Sequence, residues 1–167
     1  MRKFYLASPL GFSPENYHYL NQIKETLTSQ GFEIFDPWDQ RQFVDRIANA
    51  FKEIDYPARV AVFAQIAREI GACNEAGIRW ADTLLAVLDG AEVDSGTAAE
   101  VGFASALGKV CYGLRTDLRD SGDFIGLPIN LQILHFIEKS GGRMFRSIAE
   151  LSLAVPGLSA GRNLKPE

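Results

Sequence analysis

Thr83-Leu84-Leu85-Ala86-Val87-Leu88-Asp89-Gly90-Ala91-Glu92-Val93-Asp94-Ser95-Gly96-Thr97-Ala98-Ala99-Glu100-Val101-Gly102-Phe103-Ala104-Ser105 is the stretch whose reading decides the fold. Its first six residues are almost continuously apolar, as expected of a strand covered on both faces. Asp89 to Gly96 then breaks into loop-forming residues. From Thr97 the pattern turns helical and runs to Leu107, where Gly108 ends it. Strand, loop and helix in that order are a step of a parallel α/β sheet.

The same alternation extends in both directions. Lys3 to Ala7 reads as a first strand, followed by a helix start at Ser13-Pro14-Glu15 with Ser as cap and Pro at the first helical position. That helix puts Tyr19, Leu20, Ile23 and Leu27 on one face and stops at Gly31. Phe32 to Phe35 is a second strand, and Asp36-Pro37-Trp38-Asp39 a loop. Residues 41–53 and 57–80 read as helices, the longer one on Val60, Phe63, Ile66, Ile70 and Ile78. Lys109 to Leu114 is a fourth strand, 115–127 a loop, and 128–138 and 145–153 helices, with a weak fifth strand near Arg143-Met144. The expected architecture is α/β, a flavodoxin-like (Rossmann-like) three-layer sandwich on a parallel sheet of about five strands. Residues 1–155 form one domain and 156–167 a loose tail. Such sheets bind ligands beyond the carboxyl ends of their strands, which selects the loops 8–13, 36–42, 89–96 and 115–128.

Composition narrows the function. With 167 residues, 47% hydrophobic and 23% charged, the chain is long enough for one well-packed domain. The net charge of -4, without any Lys/Arg cluster, gives no electrostatic footprint for nucleic acid. No apolar run approaches the length of a membrane span. Cys73 and Cys111 read as free thiols of a reducing, cytoplasmic setting, and neither His18 nor His135 has neighbours that complete a metal site.

Two carboxylates stand out at the head of the helix after strand three. Thr97-Ala98-Ala99-Glu100 has the form of a capping box, with Thr97 as cap and Glu100 reaching back to its N–H. A Glu in a first helical turn is also favoured in its ionised form, which suits a nucleophile at a sugar anomeric carbon. Asp94 has the bland reading of a loop Asx-turn. Tyr5 has that of core filler, yet strands one and three are commonly neighbours, so its hydroxyl can reach and orient Glu100.

Several segments together resemble the nucleoside 2-deoxyribosyltransferases. They are Tyr5-Leu6-Ala7-Ser8-Pro9, Asn74 with Gly77-Ile78 before Ala81-Asp82, the Asp94 to Ala104 box, and Gly126-Leu127-Pro128-Ile129-Asn130-Leu131. The resemblance covers roughly residues 3 to 137. It implies a pentosyltransferase of nucleotide salvage that moves 2-deoxyribose between purine and pyrimidine bases, with 2′-deoxynucleosides and free nucleobases as partners and no cofactor or metal. Glu100 would attack C1′ and form a covalent deoxyribosyl-enzyme, with net retention, and Tyr5 would hold Glu100. Asp94 would meet the 5′-hydroxyl, as would Asn130, donated across the interface of a dimer-based homo-oligomer, tetramer or hexamer. Phe12 would stack on the base. Asn74 stands where several members carry an Asp that protonates the leaving base, and an amide cannot transfer that proton. Asp39 is the substitute acid.

Three other readings compete. Hydrolases of nucleoside 5′-monophosphates in the same superfamily put a small hydroxyl residue at the place of Asp94, where a carboxylate repels a phosphate. Phosphoribohydrolases carry Pro-Gly-Gly-x-Gly-Thr-x-x-Glu, of which only Gly96-Thr97-Ala98-Ala99-Glu100 is present. Receiver-like signalling modules need acids at the end of strand one, where this chain has Ala7-Ser8-Pro9, and an Asp ending strand three, of which Asp89 alone is present.

Overall fold

The computed structural model describes residues 2–158. Five parallel strands form one sheet in the order β2-β1-β3-β4-β5: β1 (Lys3–Ala7), β2 (Glu33–Phe35), β3 (Thr83–Val87), β4 (Val110–Leu114) and β5 (Met144–Phe145). This is the flavodoxin-like order, whose switch point lies between the carboxyl ends of β1 and β3. The helices are α1 (Tyr17–Thr28), α2 (Arg41–Phe51), α3 (Tyr56–Trp80), α4 (Ser95–Ala106), α5 (Leu131–Lys139) and α6 (Ile148–Leu158).

The two-residue period of β1 sorts the helices into layers. Phe4 and Leu6 face α1 and α6, in a core with Leu20, Ile23, Leu27, Leu151 and Val155. Tyr5 and Ala7 face the opposite way, with Ile78 of α3, Val101 and Ala104 of α4, and Ile133 and Ile137 of α5. β3 is buried along its whole length, as its apolar run requires. α2 and α3 pair through a smaller cluster of Phe43, Ala50 and Ile66.

Several boundaries differ from the sequence expectations. Ser13 and Pro14 open a 3-10 turn and not α1 itself, and Ser13 makes no side-chain cap bond. Val60 of α3 is exposed and contributes nothing to the core. The strand near Arg143-Met144 is Met144–Phe145, so the last helix begins at Ile148. It continues through Pro156 to Leu158, where a loose tail was expected. Residues 159–167, the rest of that expected tail, lie outside the described residues. Among the described residues no helix is long and apolar enough to cross a membrane.

Candidate active site

Tyr5 sits mid-way along β1, in register with Phe35 of β2 and Leu84 of β3. Its ring is fully buried and stacks on Phe35 with centroids 5.5 Å apart and planes 11° from parallel. The hydroxyl at the ring's far end donates to Oε1 of Glu100 at 2.5 Å. Phe35 is in turn fixed by α3. A Cβ on Gly77 would stand 2.5 Å from the Phe35 ring, so α3 crosses β2 at a distance that only glycine permits.

The start of α4 corrects the capping-box expectation. Asp94 is the cap: its Oδ2 accepts from the Thr97 N–H at 2.8 Å and from the Thr97 hydroxyl at 3.1 Å. Beginning at Ser95, the helix carries no acid in its first turn, and Glu100 lies in the second. Glu100 therefore does not reach back to Thr97. It is free to point at β1, and the N-terminal dipole acts on it less. Its electrostatics also differ from the expectation of an easily ionised group. Burial pushes the Glu100 carboxyl up to about 7, Tyr5 donation pulls it back, and the Asp94 charge adds a further upward push. The same burial and the facing Glu100 carboxylate drive the Tyr5 phenol well above its usual range.

The other expected residues fall into separate neighbourhoods. Asn74 lies on α3, and its Oδ1 is buried with no hydrogen-bond partner among the described residues. Phe12 is largely exposed and packs edge-on against Trp38, centroids 4.6 Å apart. The Trp38 indole N–H donates to the Ser8 carbonyl at 2.8 Å, which ties the loops after β1 and β2 together. Asp39 is exposed, and its carboxylate is engaged by Lys24 at 2.5 Å. Lys24 also bonds the buried Asp36 at 3.0 Å, whose carboxyl is raised by burial.

Asn130 is the cap of α5. Its Oδ1 accepts from the Gln132 N–H at 3.0 Å, and its amide donates to Asp123. It is exposed on a cleft of about 590 Å³ lined also by Glu92, Val93, Ala98, Ser121 and Asp123. Neither Glu100 nor Tyr5 lines that cleft. The structure thus brings Tyr5 and Glu100 together, sets Asp94 close enough to act on Glu100, and leaves Asn130 on a separate flank.

Two residues outside the expected site organise the loops. Asp89, at the end of β3, accepts from the Thr116 and Asp117 N–H groups at 2.5 and 2.7 Å. Arg115, directly after β4, is fully buried. The available signal was position alone: each follows an apolar strand at the ligand-binding edge of the sheet.

The comparisons agree with the fold. A comparison with curated proteins gives no match. A conserved protein from Enterococcus faecalis V583 superposes with a TM-score of 0.72 at 24% identity, over 95% of this chain and 99% of that one. A 2-deoxyribosyltransferase from Leishmania mexicana gives 0.63 at 25% identity, over 93% and 98%. The 2-deoxyribosyltransferase from Bacillus psychrosaccharolyticus gives 0.62 at 23% identity, over 90% of each chain. The model of the nucleoside 2-deoxyribosyltransferase family matches residues 4–132, which hold β1 from Phe4 onward, β2 to β4, the Tyr5–Glu100 pair and both caps. The chain belongs to the nucleoside 2-deoxyribosyltransferase family.

Proposed function

We propose that the chain transfers 2-deoxyribose from a 2′-deoxynucleoside to a free nucleobase through a covalent deoxyribosyl-Glu100 intermediate. The observation that carries this reading is the Tyr5–Glu100 hydrogen bond of 2.5 Å at the ligand-binding end of the sheet. A phenol bound to Oε1 fixes the carboxylate and leaves Oε2 to face C1′. In the first step Oε2 attacks C1′, the C1′–N bond breaks, and its electrons leave with the base, which takes a proton from solvent. In the second step a ring nitrogen of the incoming base attacks C1′, and the base gives up its N–H proton to solvent. The ester C1′–O bond breaks and the carboxylate is restored. Two inversions give net retention, as in retaining glycosidases.

Asp94 supports a free 5′-hydroxyl as its partner. One of its oxygens is occupied by Thr97, and the other is left to accept from the sugar. Its charge disfavours a 5′-phosphate. Asn74 offers the base an amide, and its orphaned Oδ1 is suited to an N–H on the base edge. Phe12 on Trp38 supplies a stacking platform. Asp39, the substitute acid expected from the sequence, is held by Lys24, which leaves the proton for the departing base to solvent. Asn130, on a cleft apart from its own Glu100, fits a role in the site of a second copy within a homo-oligomer.

The test is to incubate the protein with deoxyinosine and adenine, and separately with deoxyinosine alone. Deoxyadenosine in the first tube, and a deoxyribosyl adduct on the peptide holding Glu100 in the second, are the expected results. Free deoxyribose released equally fast in both tubes would replace the transferase reading by a hydrolase.

A further inference from the structure

We propose that Arg115 is a positioning residue that fixes the spacing between the loop carrying Asp94 and the loop carrying Asn130. Its guanidinium is fully buried at the carboxyl end of β4. Nη1 donates to the Leu88 carbonyl and, at 3.1 Å, to the Gly90 carbonyl. Nη2 donates to the Arg119 carbonyl at 2.8 Å and to the Ser121 hydroxyl at 3.2 Å. One side chain thus holds two oxygens of the loop after β3 and two of the loop after β4.

Burying a guanidinium is costly, and an apolar side chain of similar volume would fill the space without that cost. An apolar residue cannot bind four oxygens from two loops at once. The planar fork of arginine can, and it does so in a fixed geometry. Asp89 answers in the opposite direction. Rooted at the end of β3, it accepts from the N–H and hydroxyl of Thr116, from the Asp117 N–H, and from the Tyr19 hydroxyl at 3.2 Å. The two loops are cross-linked both ways.

Each link leads onward to a proposed sugar contact. Gly90 is four residues before Asp94, the cap of α4. Ser121 bonds the Pro128 carbonyl through both its N–H and its hydroxyl, at 3.3 and 3.2 Å. Gly122 then donates to the Leu127 carbonyl at 3.0 Å. Asp123 accepts from the Asn130 amide and, at 2.7 Å, from the Leu131 N–H. Arg115 therefore stands between the arm ending at Asp94 and the arm ending at Asn130, and both arms wall the 590 Å³ cleft.

The consequence for turnover rests on the transferase reading, in which Asp94 meets the 5′-hydroxyl in its own copy's site and Asn130 meets that of a second copy. The experiment compares Arg115→Lys and Arg115→Met with the native full chain on 2′-deoxyadenosine and on 2′,5′-dideoxyadenosine. Both variants are expected to lose about tenfold in kcat/KM for the first substrate, through KM, and less than about threefold for the second. Lysine does not rescue, because one ammonium cannot span both arms. An equal loss on both substrates overturns the inference. Hydrogen exchange is read on the same proteins without substrate. Amides of residues 89–94 and 117–130 are expected to exchange faster together, with β1 and β3 unchanged. Loosening of one arm alone, or of neither, also overturns it. If no nucleoside is turned over by the native protein, the transferase reading fails, and the exchange data still decide whether Arg115 couples the arms.

Discussion

The Tyr5 hydroxyl and the Glu100 carboxylate, 95 residues apart in sequence, meet at 2.5 Å across the gap between the sheet and α4. A buried carboxylate held by a single phenol is a compromise. Burial makes it a stronger base and a scarcer anion, while the hydrogen bond recovers part of the anionic population. Its pKa of about 7 leaves it poised to ionise near neutrality.

Transferase activity is expected to rise tenfold per pH unit below about 7 and to level off above it, because in the proposed mechanism only the carboxylate attacks C1′. Tyr5→Phe removes the interaction that lowers the Glu100 pKa. The acid limb of the kcat/KM profile should then move up by about one unit. A pH–rate series on the two proteins measures the shift, and an unmoved limb would separate Tyr5 from Glu100 titration.

Glu100→Gln is expected to lose activity by several orders of magnitude and yet to gain stability. The folded-state pKa is raised, so the stability tied to the protonated acid is complete below about 4.5 and is lost as pH rises through about 7. Glutamine has no proton to lose. The variant should be more stable than the native chain above pH 7 by an amount on the order of 3 kcal/mol. The difference should shrink toward zero as pH falls to about 4.5. Urea denaturation across this range gives the answer.

Asp94→Ala removes a cap and is expected to cost about 1 kcal/mol. Asp94→Ser keeps a capping oxygen and should cost less. If Asp94 selects an unphosphorylated 5′ end, the serine variant should lower kcat/KM for 2′-deoxynucleosides more than for their 5′-monophosphates. An unchanged ratio between the two substrates would sink that selectivity.

Gly77→Ala places a methyl 2.5 Å from the Phe35 ring, which stacks on Tyr5. The overlap should cost about 1–3 kcal/mol and displace the Tyr5 ring. The variant is expected to show a lower Tm and a lower kcat, although the atoms nearest the added methyl belong to Phe35. Phe35→Leu in the same chain should recover Tm by relieving the overlap.

Much of the sheet was legible because strands buried on both faces write themselves as apolar runs. Thr83 to Leu88 and Lys109 to Leu114 needed no tertiary information. The head of α4 was harder. Asp94, Ser95 and Thr97 are all good caps, and local sequence does not rank them. The choice of Asp94 rests on a backbone that offers it the Thr97 N–H and hydroxyl together. That one-turn difference moves Glu100 from the first turn to the second and alters its electrostatics. Arg115 was illegible for another reason. Its partners are mostly main-chain carbonyls, and carbonyls leave no mark on a sequence. Asn130 was read as a motif residue, but its place on a separate cleft depends on how α5 packs against α4.

The cap at Asp94 narrows what this position can become. Any residue placed there must first seat α4, since the helix carries Glu100. The side chains that do so well are Asp, Asn, Ser and Thr. These differ in charge and in donor capacity, so one substitution can re-tune the proposed recognition of the sugar end while the helix stays in place. Position 94 is therefore a dial with few settings, each compatible with folding, and a library restricted to those four residues would explore substrate range without first having to repair the scaffold.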